Sequence, residues 1–111
     1  MKNDPNRVPK HLGRDAKEFW KETVRDYELE PHHVLILTGA CECMDRIAEA
    51  RKRIEVEGCY LANRRGELRA HPANQVEREN KILLARLLRE LNLDTSSPAE
   101  AYSRPPRIGG R

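Results

Sequence analysis

A chain of 111 residues, of which 35% are charged and 5% aromatic, can build one domain around a thin aliphatic core and little more. No stretch approaches the roughly 18 apolar residues of a membrane span, and the net charge of +3 permits contact with nucleic acid without demanding it. Three cysteines, Cys41, Cys43 and Cys59, lack the even number and spacing of a disulfide framework, which predicts reduced thiols.

Residues 1–12 carry Asn3, Pro5, Asn6 and Pro9 and read as a flexible basic arm. Through Arg14 the arm sets Lys2, Arg7, Lys10 and Arg14 against Asp4, so it is either a solvated tail or a segment that touches phosphate or a partner. With no apolar h-region among these residues, the chain is expected to stay soluble within the cell. A helical core is expected over residues 13–97.

Gly13 or Asp15 can cap a first helix that runs to about Tyr27. Ala16, Phe19, Trp20, Thr23, Val24 and Tyr27 share one face, with Phe19 and Trp20 as core anchors. After Glu28–Glu30, Pro31 opens a second helix, which continues to Glu57 and stops at Gly58. At 1.5 Å per residue it spans roughly 40 Å. Its first half, HHVLILTGACECM, is apolar around most of its circumference and needs several neighbours. Its second half is charged, with Glu42–Arg46 and Glu49–Arg53 at the favourable i,i+4 spacing. Gly39 inside this helix marks a close helix approach.

Residues 59–70, with Asn63-Arg64-Arg65-Gly66 between Tyr60-Leu61 and Leu68, predict a short β-hairpin. The next stretch, His71 to Ser97, holds the clearest periodicity: Val76, Leu83, Leu84, Leu87, Leu88 and Leu91 recur at three- and four-residue steps, on one stripe of a helix. Pro72 suits its first turn and Asn92 its left-handed end. Over 98–111, Ser97-Pro98-Ala99-Glu100 has the form of a capping box, which predicts a short helix to about Tyr102. A basic tail with Arg104, Arg107 and Arg111 follows.

Catalytic and metal chemistry find little support. His32-His33 and Cys41-x-Cys43 lie one and two residues apart on a helix, about 100° and 200° around its axis, and cannot converge on one tetrahedral ion. Cys41, Cys43 or Cys59 with His71 is a conceivable nucleophile pair, but no flanking motif accompanies it. Phosphate-binding and dinucleotide fingerprints are absent from the sequence. The expectation is a non-enzyme with no metal and no cofactor. Basic clusters remain: the arm, Arg51-Lys52-Arg53, Arg64-Arg65 with Arg69, and the tail. Each can be a solvated face; together they can form a phosphate-binding surface. No aromatic residues alternate with them to stack bases, so a duplex backbone is the better ligand.

Several segments are similar, in order, to phage terminase small subunits. They are HL-x3-AK-x-FW at His11, Leu12, Ala16, Lys17, Phe19 and Trp20, and DR-x2-EA over Asp45–Ala50, followed by Gly58 and the hairpin. HPA at 71–73, ERE at 77–79 and ARLLRELNLD at 85–94 complete the set. The sequence departs from that family at Asn92, where a glycine is usual, and in its short basic N-terminal extension.

The resemblance implies a mainly α fold: two long antiparallel helices, a shorter N-terminal helix and a small β-hairpin, in a ring-forming oligomer. It implies a non-catalytic protein of the host cell cytoplasm, with double-stranded viral DNA and the terminase large subunit, which carries the ATPase and nuclease, as partners and no membrane contact. Placed on this chain, the expected DNA contacts are Lys10, Arg14, Arg51, Lys52, Arg53, Arg64, Arg65 and Arg69. The expected oligomer interface is Val34, Leu35, Leu37, Met44, Leu84 and Leu88. A dimeric helical transcription regulator and a scaffold or adaptor without DNA contact are the alternatives.

Overall fold

The computed structural model describes residues 3–92. The short helix and basic tail expected over 98–111 lie outside the described residues. The protein is mainly helical, with one two-stranded antiparallel sheet. A 3-10 turn at Pro5–Arg7 precedes α1 (Arg14–Asp26) and α2 (Pro31–Glu57); β1 (Tyr60–Ala62) and β2 (Leu68–Ala70) form the hairpin; α3 (Pro72–Leu91) follows.

Pro31 and Pro72 each occupy the first turn of their helix, where the missing N–H removes no intrahelical bond. Gly58 ends α2 at φ 87°, a left-handed value open to glycine, and its N–H donates to the Ile54 carbonyl. Asn92 ends α3 at φ 41°, its N–H donating to the Leu88 carbonyl. Asparagine thus takes the left-handed position that glycine usually fills.

The hairpin reverses the chain, so α3 runs back along α2. The direction is set by its contacts: Ala73 packs with Ala50 and Ile54 at one end, and Leu91 with Leu37 and Cys41 further along. The main core lies where α1 crosses the first half of α2. Trp20, Val24, Leu37, Cys41 and Leu91 are buried there, each worth roughly 1.5–3 kcal/mol where a large side chain is fully removed from water. The Trp20 indole Nε1–H donates to Thr38 Oγ1 (3.2 Å), and that hydroxyl donates to the Val34 carbonyl (2.8 Å), so the one buried tryptophan has its polar atom satisfied.

Two expectations are corrected here. Residues 3–12, read as a flexible arm, fold back on the core. Leu12 is buried, Val8 packs against the cluster, and the Asn3 amide donates to the Leu29 carbonyl at 2.9 Å. Apolar side chains at two positions outweigh the prolines around them. The predicted ion pairs Glu42–Arg46 and Glu49–Arg53 also differ. Glu42 instead meets His11 at 2.7 Å, Arg46 reaches Glu49 at 4.0 Å, and Arg53 reaches Glu57 at 3.2 Å. Exposed pairs of this kind contribute so little that neighbouring geometry decides the partner.

The glycines at two helix contacts are not equivalent. A Cβ on Gly39 would sit 3.5 Å from Leu87 Cδ1, an ordinary contact; a Cβ on Gly13 would sit 2.7 Å from Asp45 Oδ1. Asp45 is held there because its carboxylate accepts the Gly13 N–H at 2.8 Å, at the positive end of α1. Gly39→Ala is therefore expected to stabilise the protein by about 1 kcal/mol through helix propensity. Gly13→Ala should instead destabilise it by about 1 kcal/mol by dislodging this remote cap. Urea denaturation of the two variants checks the opposite signs.

Candidate nucleic-acid interface

The hairpin is the most exposed part of the described chain. Its register pairs Tyr60 with Ala70, Leu61 with Arg69 and Ala62 with Leu68. Side chains alternate across a strand, so Leu61 and Arg69 share one face and the other two pairs share the opposite one. The tip is built by Asn63. Its side-chain oxygen accepts the N–H groups of Arg65 (2.8 Å) and Glu67 (2.9 Å), its carbonyl accepts Gly66 N–H (3.0 Å), and its own N–H donates to the Glu67 carbonyl (2.9 Å). Gly66, at φ 81°, supplies the left-handed step that closes the turn. Arg64 and Arg65 are the two central residues of this bonded loop, both exposed. Among the described residues, Arg64, Arg65 and Arg69 meet no carboxylate within ion-pair distance.

The base of the hairpin is pinned by His71. Its N–H donates to the Cys59 carbonyl at 2.8 Å. Its ring Nδ1 accepts the Ala73 N–H at 2.9 Å as the N-cap of α3, which places the ring proton on Nε2, where it is donated to Glu57 at 2.8 Å. Glu57, the last residue of α2, also receives Arg53. The hydrogen bond from His71 and then that from Arg53 hold its carboxyl below its usual 4.5. One imidazole thus ties the end of α2 and the foot of the hairpin to the start of α3. A histidine directly before a helix-opening proline stands in the N-cap position, and that was the signal in the sequence.

The other expected contacts do not gather into one surface. Arg51, Lys52 and Arg53 are successive helical residues and point about 100° apart. Arg51 turns to Glu77 of α3 (3.7 Å) and Arg53 to Glu57, while Lys52 is exposed and, among the described residues, meets no carboxylate. Lys10 and Arg14 are exposed near the start of α1, which sits against Asp45. From Asp45 to Glu57 the α2 axis advances roughly 18 Å, so these two side chains lie well away from the hairpin.

Of the expected interface residues, Leu35 is 75% and Leu88 40% exposed, and Val34, Met44 and Leu84 are half-buried. Leu37 is fully buried in the protomer's own core and has no surface to offer a second copy. It falls on the α2 face that α1 and Leu91 cover.

The cysteines and histidines are arranged for packing. Cys41 Sγ donates to the Ala16 carbonyl (3.4 Å); burial first, then Asp45 and Glu42, pushes its thiol up to about 12. Burial and then Glu42 also raise Cys43. Both thiols stay protonated at neutral pH and are poor nucleophiles. With both ring nitrogens engaged, His71 is not placed as a base for Cys59. Among the described residues no group of three or more His, Cys, Asp or Glu side chains is placed to hold a metal ion, and no helix is long and apolar enough to cross a membrane.

A family model described as phage terminase, small subunit, matches residues 16–105, most of the chain. Neither a curated protein nor a solved structure matches.

The His71 tie gives a pH test. A carboxylate whose folded-state pKa is depressed contributes stability that is fully present above its ordinary value and is lost as pH falls through the lowered one. Wild type should therefore exceed Glu57→Gln in urea midpoint at about pH 6, with the gap closing as the pH falls below 4.5 and through the lowered value. A gap that persists undiminished in acid would mean the carboxylate charge is not what His71 and Arg53 hold.

Proposed function

The chain belongs to the phage terminase small-subunit family, which gives it a role in phage DNA packaging, and on that premise we propose that it is the non-catalytic subunit that binds viral duplex DNA and delivers it to the large subunit. In this reading the large subunit supplies the ATPase and nuclease activities. The small subunit works in the host cytoplasm as a closed ring of identical copies, which repeats one set of cations around an axis.

The observation that carries the DNA contact is the hairpin tip. Two adjacent arginines occupy a turn held by five hydrogen bonds through Asn63, with Arg69 on the ribbon behind them, and among the described residues no carboxylate, Glu67 of the turn included, comes within ion-pair distance of the three. A guanidinium held on a bonded turn loses less freedom when it meets a phosphate than one on a loose loop. Repetition in a ring multiplies the number of phosphates met at once, so a modest net charge per chain suffices. Lys10 and Arg14 are secondary contacts, since both stand apart from the hairpin, and Lys52 adds one exposed cation on the last turns of α2. Arg51 and Arg53 each already engage a glutamate and contribute less.

Arg64→Ala combined with Arg65→Ala should weaken binding to duplex DNA about equally for unrelated sequences. The dependence of log K on log salt should become shallower by about 0.9 for each phosphate that the variant no longer engages. Fluorescence anisotropy across a salt series measures both. Unchanged affinity and slope would remove the hairpin from the DNA contact and favour a scaffold role.

A further inference from the structure

The helix pair α2–α3 carries two unlike flanks. Ala73 and Leu91, both buried, mark the line along which α3 meets α2. Counting 100° per residue from that line, Leu83 and Leu87 lie roughly 80° and 40° to one side, and Leu84 and Leu88 roughly 20° and 60° to the other. On the first side, Leu83 and Leu87 form an open groove of about 830 Å³ with Gly39 and Cys43 of α2. Its rim has an acidic balance: Glu42, Asp45 and Glu49 against Arg46, with His11 on Glu42. Leu83 is 45% exposed on its floor.

The second side is a ridge. Leu84 and Leu88 stand on it, beside Lys81 and, from α2, Arg51. Both cations flank Glu77, whose side chain is only 13% exposed, at 2.9 Å from Lys81 and 3.7 Å from Arg51. The acid is therefore shielded, and the ridge presents leucines edged by positive charge. The groove presents leucines edged by negative charge. Each flank offers what the other lacks.

We infer that the acidic-rimmed groove of one copy receives the Leu84–Leu88 ridge of a second copy, head to tail. The inference rests on the self-assembly proposed above and adds to it the two faces and their sense. Contact between unlike faces leaves one groove and one ridge free at the ends of every dimer, so copies add until the chain of contacts closes on itself. A contact of like faces would set acid against acid in the groove, or cation against cation on the ridge, and stop at two. The hairpin emerges from the end of the α2–α3 pair, so assembly would carry the Arg64–Arg65 tips to repeated positions.

The test uses two variants that each disable one face at a part-exposed position: Leu83→Arg in the groove and Leu88→Glu on the ridge. Light scattering should give a single-protomer mass for either variant by itself. An equimolar mixture should give a species of two protomers and nothing larger, because only one competent junction remains. Far-UV circular dichroism verifies that both variants fold. Should either leucine variant misfold, Glu49→Lys and Lys81→Glu, both at well-exposed side chains, replace them: each lowers the assembled mass, and the two together in one chain restore it. Wild-type mass in either leucine variant, a two-protomer species from one variant by itself, or a mixture that stays single would overturn the inference. A wild-type protein of single-protomer mass would instead remove the self-assembly on which it rests.

Discussion

Everything in this protein depends on α3 lying back along α2 with too few neighbours to bury it. One helix against another removes from water only the side chains near the line of contact. On α3 that line buries Ala73 and Leu91, and it leaves Leu83, Leu87 and Leu88 part-exposed. A third helix could have covered the flank, but α1 is short and crosses α2 in its first half, where Trp20, Leu37 and Cys41 make the main core. The leucine stripe is therefore wider than the surface that the protomer provides for it. Such a surplus is ordinary at an interface and costly in water.

The helix ends show the opposite economy. The starts of α1 and α3 are held by side chains that also fix tertiary geometry. Asp45, from the middle of α2, supplies the carboxylate at the start of α1, and the contact is close enough that a Cβ at position 13 would push that carboxylate aside. His71 caps α3 with one ring nitrogen and reaches Glu57 with the other. Local capping and long-range orientation thus share the same atoms. The direction in which the hairpin leaves the helices follows from them, and with it the placement of Arg64 and Arg65.

Much of this was legible in the residues. Pro31, Gly58, Pro72 and Asn92 mark helix ends by their backbone preferences, and Asn63–Gly66 marks the turn. What could not be read were pairings between remote segments. Nothing local announces that Asp45 will cap α1 or that Leu12 will be buried, because each depends on where another element lies. The triplet Arg51-Lys52-Arg53 shows another limit of reading by adjacency. Adjacent in sequence, its members are 100° apart on a helix and take separate partners. Leu37 was likewise misjudged by its type: an apolar helix face says that a residue will be covered, not whether its own chain or another does the covering.

Family membership supplies the role in packaging; the physics supplies a reason for copies of this chain to act together. Scattered cations on a single protomer make a weak polyanion site, and repeated around an axis they make a strong one. Copies can act in this way only if the leucine flanks are covered in solution. Hydroxyl-radical footprinting of the wild-type protein measures that cover directly, with Tyr60 on the hairpin as an exposed reference. Side chains of Leu83 and Leu88 should be labelled far less than their 45% and 40% exposure in the protomer would give, and labelling in proportion to that exposure would contradict the account.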